Sequence, residues 1–211
     1  MVEAYHAIFG TYGFWLPNDP RGSWSDFIGA WELLRFGEAT GHERITRSVA
    51  HTDHDRQLRL AAKAALKYPP VIFNGVQARS AGLGFAVACE KSGYKVLACS
   101  ILPEHVHVVI RRHRQTIEQM VGHLKGRATQ QMVKESVHPL GAFFESPDPP
   151  LTPWAENCWK VFLNDNHDIE RAVRYVEDNP IREGLRPQHW TFVERRTGIT
   201  RPNGGQARRL N

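Results

Sequence analysis

Tyr94-Lys95-Val96-Leu97-Ala98-Cys99-Ser100-Ile101-Leu102-Pro103-Glu104-His105-Val106-His107-Val108-Val109-Ile110-Arg111-Arg112 is the stretch that decides the fold. Tyr94 to Leu102 and His105 to Arg112 read as two strands, joined by a tight Pro-Glu connection. On a strand, residues two apart point to the same face. His105 and His107 therefore aim two imidazoles to one side, while Val106 and Val108 pack on the other. Neutral imidazoles at that spacing suit a divalent metal. A chain with 11 histidines in 211 residues can carry such a pair by chance, as two polar residues on a half-exposed strand, so the rest of the sequence has to decide.

Upstream, Tyr5 to Thr11 is short, apolar and β-prone and reads as a first strand. Gly13 to Gly29 mixes Gly, Pro, Asp and aromatics as an ordered functional loop does. His51 to Lys67 has helical spacing of Leu58, Ala61, Ala62 and Ala65, and Pro69-Pro70 stops it. Asn74 is placed to cap a second helix running to about Ser92, with Gly93 as its stop.

Downstream, Thr116-Ile117-Glu118-Gln119 has capping-box form. It opens a helix with the apolar line Ile117, Met120, Val121, Leu124 and Ala128, and Lys125 and Arg127 lie away from the centre of that line. Pro139 to Pro153 is irregular, and Trp159 to Leu163 suits a short strand. Asn166 or Asp168 then caps a helix expected to end before Pro180. The order of elements predicts an α+β fold: a ferredoxin-like βαββαβ sandwich, an antiparallel sheet with helices on one face, plus one C-terminal helix.

Composition narrows the class. The length suits one domain, and 41% apolar residues can form a core. No apolar run approaches the roughly 20 residues that span a bilayer, so no membrane role is expected. Met1 to Ile8 lacks the pattern of a secretion signal, and Cys89, Cys99 and Cys158 form neither a disulfide framework nor a zinc pair. A cytoplasmic, nucleoid-associated setting is expected. The net charge is +5, and it is concentrated. Arg111 to Lys134 carries six basic residues against Glu118, and Arg186 to Asn211 six against Glu194. Such segments fit a polyanion binder, or a solvated helix face with a mobile tail.

On the last helix, Ile169, Ala172, Val173 and Val176 share one face. Tyr175 falls roughly 110° from its centre, with Arg171 one turn earlier and Asn179 one turn later on the same flank. A boundary tyrosine can simply pack its ring and wet its hydroxyl. Together with a histidine pair and concentrated basic charge, however, it fits attack on a phosphodiester by a tyrosine hydroxyl. The free hydroxyl is a weak nucleophile, with a pKa of about 10. A nearby cation, the metal or Arg171, would favour the phenolate.

At this point the chain resembles the HUH single-tyrosine transposases, in particular the REP-associated tyrosine transposases and related insertion-sequence transposases. The resemblance rests on Leu102 to Ile110 (LPEHVHVVI), Leu124 to Met132 (LKGRATQQM) and Tyr175 to Leu185 (YVEDNPIREGL), with Trp15 to Gly22 as a further similar loop. It implies Tyr175 as nucleophile, and His105, His107 and Asn179 as ligands of Mg²⁺ or Mn²⁺. The implied activity is cleavage and rejoining of single-stranded DNA through a 5′-phosphotyrosine, near a hairpin, and a homodimer is compatible with it.

Arg21, Arg111, Arg112, Lys125, Arg127, Arg171 and Arg174 are the candidate DNA contacts. Tyr12, Trp15 and Trp24 are candidates for base stacking, or for the core. Residues 1–194 are expected to form one such domain, with 12–50 as an inserted loop region and 195–211 as a basic, mobile tail.

The sequence departs from the family pattern at Glu104, where Asn or Asp is common, in the Pro-rich stretch 139–153, and in the basic tail. The alternative is a catalytically silent or host-retained hairpin-DNA-binding protein of the same fold, and the intact His105, His107, Tyr175 and Asn179 argue against it. A replication initiator or relaxase, or an unrelated histidine metalloprotein, would be further readings.

Overall fold

β3 (His105–Arg111) is the strand around which the rest assembles, in keeping with its nearly unbroken apolar run. In the computed structural model, which describes residues 1–14, 56–145 and 150–194, β3 lies between β2 (Val96–Ile101) and β1 (Ala4–Gly10). β4 (Trp159–Leu163) completes a four-stranded sheet of order β2-β3-β1-β4, antiparallel throughout. The helices are α1 (Arg56–Ala64), α2 (Gly75–Ser92), α3 (Ile117–Lys134) and α4 (Asn166–Arg182). This is the expected βαββαβ topology with an added C-terminal helix. Trp15, Arg21, Trp24, most of the 12–50 region and the 195–211 tail lie outside the described residues.

The alternation of strand side chains sorts them into two cores. Ala7, Phe9, Val106, Val108 and Ile110 join Phe85 and Ala88 of α2 and Met120, Leu124 and Ala128 of α3. The opposite face offers Ala4, Leu97, Ala98 and Val109 to Ile169, Ala172, Val173 and Val176 of α4. The tyrosine helix therefore covers the sheet face toward which His105 and His107 point, because Val109 continues their alternation.

Capping forms as the sequence implied. Asn74 and Gln77 satisfy each other's backbone at 2.9 and 3.0 Å, and Thr116 and Gln119 do the same at 3.3 and 2.9 Å. Gly93 stops α2 in the left-handed region at φ 71°, donating its N–H to the Cys89 carbonyl at 2.8 Å.

Both ends of α4 differ from expectation. It is capped by Asp165, not Asn166 or Asp168, and it runs through Pro180 to Arg182 instead of ending before the proline. In the last turn a proline forfeits only one hydrogen bond. The Asn179 carbonyl still receives Glu183 N–H at 3.1 Å, and the Pro180 ring is itself buried. The result keeps Asn179 helical, one turn beyond Tyr175.

Beyond α4 the chain closes the β2 edge. Gln188 donates its amide to the Ile101 carbonyl and accepts the Ile101 N–H, both at 2.8 Å, as a neighbouring strand would. Glu194 N–H then bonds the Val96 carbonyl at 2.8 Å. Between them Trp190 lies so close to α2 that a Cβ on Gly82 would sit 2.1 Å from its ring. Gly82→Ala is therefore expected to dislodge the indole and lower Tm by about 3–10 °C. An unchanged melting curve would show that this segment does not contribute to stability.

Candidate active site

The antiparallel register between β1 and β3 builds the site. His6 stands opposite Val109, and Ile8 opposite His107, so the two histidines are diagonal neighbours on the face under α4. Their rings touch: His6 Nε2 lies 3.0 Å from His107 Nδ1. Both are buried, at 8% and 4% exposure. Burial lowers the His6 pKa to about 4, and burial together with the charges of His105 and His6 lowers that of His107 to about 2. Both rings are thus neutral near pH 7, with lone pairs available. His105 stands edge-on to His107 at 4.9 Å between ring centroids, and Phe14 stacks parallel on its other side at 5.3 Å.

Tyr175 reaches this group from α4. Its ring centroid is 5.6 Å from His107 and 5.9 Å from His6, and the residue is 41% exposed. The structure thus gathers His105, His107 and Tyr175, as the sequence anticipated, and adds His6, Phe14 and Arg182. The Arg182 guanidinium lies 5.3 Å above the Tyr175 ring. The cation at the tyrosine is therefore Arg182, two turns on, whereas Arg171 pairs with Asp168 at 2.8 Å. The spacing of seven on one helix was the available signal for Arg182. For His6 the signal was weaker, a lone polar residue in an apolar strand, and only strand register places it against His107.

The residue types suit a hard divalent ion: two imidazoles and an amide oxygen would leave positions for water and phosphate. Two buried polar atoms of α4 and β2 lack partners among the described residues. Asn179 is 5% exposed, and its Nδ2 has no hydrogen-bond partner among the described residues. The same holds for Ser100 Oγ, whose residue pairs across β2 with His107 and so faces the same side. An orphaned buried group costs about 1–3 kcal/mol; a phosphate oxygen or free water would satisfy the Asn179 N–H, leaving its amide oxygen for an ion. Asp165, His167 and Asp168 also bring ligand atoms within 4.8 Å of one another, but at the exposed start of α4, where Asp165 caps the helix and Asp168 holds Arg171.

The candidate DNA contacts are dispersed. Arg111 and Arg112 lie at the far end of β3, roughly 20 Å along the strand from His105. Arg174 is on another flank of α4, beside a groove it shares with Glu170, Glu177 and Trp190. Arg127 bonds His123 at 3.2 Å and Gln130 at 2.9 Å. Tyr12 packs on Tyr68 against the core, the second of its two anticipated roles.

Lys125 turns inward. Its ammonium donates to the carbonyls of Ala155 and Asn157 at 2.8 and 2.7 Å and lies 5.3 Å from the centre of the Phe9 ring. Burial lowers its pKa to about 8. Its position therefore ties the 155–157 segment to α3 rather than offering charge to solvent. Lys125→Met, which keeps the stem, is expected to cost about 1–3 kcal/mol of stability with a salt dependence of DNA binding close to that of the native chain. A stable variant with a shallower salt dependence would return Lys125 to the DNA surface.

The site is thus an antiparallel sheet that holds paired histidines under a helix bearing an exposed tyrosine. The family described as "Transposase IS200 like" matches residues 65–179, more than half of the chain, and the protein belongs to that family. Among solved structures, the chain is similar to a REP-associated tyrosine transposase bound to a REP hairpin. The identity is 11%, covering 86% of this chain and 68% of that one, with a TM-score of 0.44. It is also similar to a Deinococcus radiodurans R1 protein provisionally assigned as a transposase, at 12% identity over 84% of this chain and 91% of the other, with a TM-score of 0.38. A search of the curated proteins finds no match. Among the described residues no helix is long and apolar enough to cross a membrane.

Proposed function

We propose that this transposase cleaves and rejoins single-stranded, hairpin-bearing DNA with Tyr175 as nucleophile. The observation that carries the reading is the approach of the Tyr175 ring to His107, 5.6 Å between centroids, across the interface between α4 and the sheet. The Tyr175 oxygen attacks phosphorus and the bond from phosphorus to the 3′ oxygen breaks. The phosphate stays on the tyrosine as a 5′-phosphotyrosine, the phenolic proton passes to solvent, and the departing 3′ oxygen takes a proton from solvent to leave as a 3′-hydroxyl. Attack by a 3′-hydroxyl on the phosphotyrosine reverses the step and needs no external energy source.

His105, His107 and Asn179 would hold Mg²⁺ or Mn²⁺, which when bound polarises the scissile phosphate and stabilises charge on its oxygens. Arg182, 5.3 Å from the centre of the ring, places positive charge against the side chain that becomes anionic. Phe14 keeps the His105 ring in a fixed plane. The exposed Arg112 at the end of β3 and Arg174 on α4 would supply contacts for the DNA backbone, whose affinity is electrostatic and falls with salt. The test is to incubate the protein with end-labelled hairpin strands and Mn²⁺ and look for a denaturation-resistant adduct. A labelled protein band is the expected result. DNA binding and Mn²⁺ binding without any adduct across the pool would overturn the reading.

A further inference from the structure

Two buried histidines in contact 101 residues apart, one of them outside every motif recognised in the sequence, call for an explanation. A ring nitrogen 3.0 Å from another is either a hydrogen-bond partner or a fellow metal ligand. Ligand atoms on one small divalent ion, at about 2.0–2.2 Å from it, lie within about 4.4 Å of each other. His6, His105 and His107 are all among the described residues. The one group of three such side chains there with ligand atoms within 4.8 Å is Asp165, His167 and Asp168. The three imidazoles therefore do not converge on one point. The contact between His6 Nε2 and His107 Nδ1 is a hydrogen bond, and it engages the δ nitrogen of His107.

We infer that His6 is a positioning residue: it fixes the ring orientation and tautomer of His107 so that His107 Nε2 is the atom presented to the metal. The inference rests on the proposed metal site. The second nitrogen of a ligating histidine is ordinarily held by a carboxylate, a backbone carbonyl or water. Here a second imidazole on the neighbouring strand takes that place. Burial suits it to the task, since a neutral ring next to another neutral ring can share one proton without bringing charge into the sheet. The Tyr175 ring of α4 lies 5.9 Å from His6. With Phe14 against His105 and His6 against His107, each proposed ligand ring has its own support.

The test compares His6→Phe, which keeps the ring volume without a hydrogen bond, and His6→Gln, which keeps a polar group of similar reach. Mn²⁺ affinity is measured by electron paramagnetic resonance on the full chain, with His105→Ala and His107→Ala beside them. Long-range ¹H–¹⁵N spectra of the native, metal-free protein report the His107 tautomer without any substitution. His6→Phe is expected to weaken Mn²⁺ binding about 10- to 100-fold, His6→Gln to restore it to within a few-fold, and native His107 to show one tautomer. Native-like Mn²⁺ binding by His6→Phe, or a mixture of His107 tautomers in the native protein, would overturn the inference while the metal site stands. If His105→Ala and His107→Ala also bind Mn²⁺ normally, the metal site itself falls. Equal loss in His6→Phe and His6→Gln, with native-like melting, would make His6 a ligand and overturn the positioning role.

Discussion

Tyr175→Phe is expected to abolish the covalent protein–DNA adduct, a loss on the order of 10⁴-fold or more, because no other group can occupy the nucleophile's place. The fold should be untouched. Tyr175 is 41% exposed, its ring packs beside His6 and His107 without a buried hydrogen bond depending on it, and phenylalanine keeps those contacts. Arg182 retains an aromatic face to lie on. Hairpin affinity should therefore stay within a few-fold of native, and the melting temperature within a degree or two. An adduct of normal yield in Tyr175→Phe would remove Tyr175 from the chemistry. Loss of DNA binding in parallel with the adduct would show that its hydroxyl serves recognition instead.

His107→Ala carries the second large effect. The site should lose Mn²⁺ affinity by more than about 100-fold, since a ligand contributes more than its supporting shell. Saturating Mn²⁺, at 100 times its dissociation constant, should stabilise the native chain by about 2.7 kcal/mol and the variant hardly at all. Acid titration gives an independent check. His6 and His107 are held near 4 and 2, below the ordinary 6.5, so between those values the unfolded chain binds more protons than the folded one. Stability is full above about pH 6.5 and falls as pH drops, by up to about 1.4 kcal/mol per pH unit for each buried ring. Removing His107 should flatten that fall. Metal-induced stabilisation that survives in His107→Ala would place the ion elsewhere, and an unchanged acid profile would mean that His107 is not buried neutral in solution.

Local chemistry was legible wherever a few adjacent residues decide the outcome. The capping boxes at Asn74 and Thr116 and the Gly93 stop could be read from spacing alone, because each is closed by partners three or four residues away. The alternation of β3 showed that His105 and His107 share a face, and the helical wheel put Tyr175 and Asn179 on one flank. Pro180 misled because the cost of a helical proline depends on where the helix ends and what its ring packs against. Lys125 looked solvent-facing for a similar reason. Its stem reaches carbonyls 30 and 32 residues away, which no helical projection can anticipate.

The chain order alone settled the element types, the βαββαβ succession, the paired histidines and the membership of a transposase family. Those features are written in contiguous or periodic residues, where backbone geometry maps sequence onto direction. Tertiary structure was needed to say which face the tyrosine helix covers, that His6 meets His107 across 101 residues, that Arg182 rather than Arg171 sits over the tyrosine, and that Gln188 closes the β2 edge. Each of these depends on strand register or on packing between distant segments. A shift of one residue in β1 would turn His6 to the other face and leave every local pattern in the sequence unchanged.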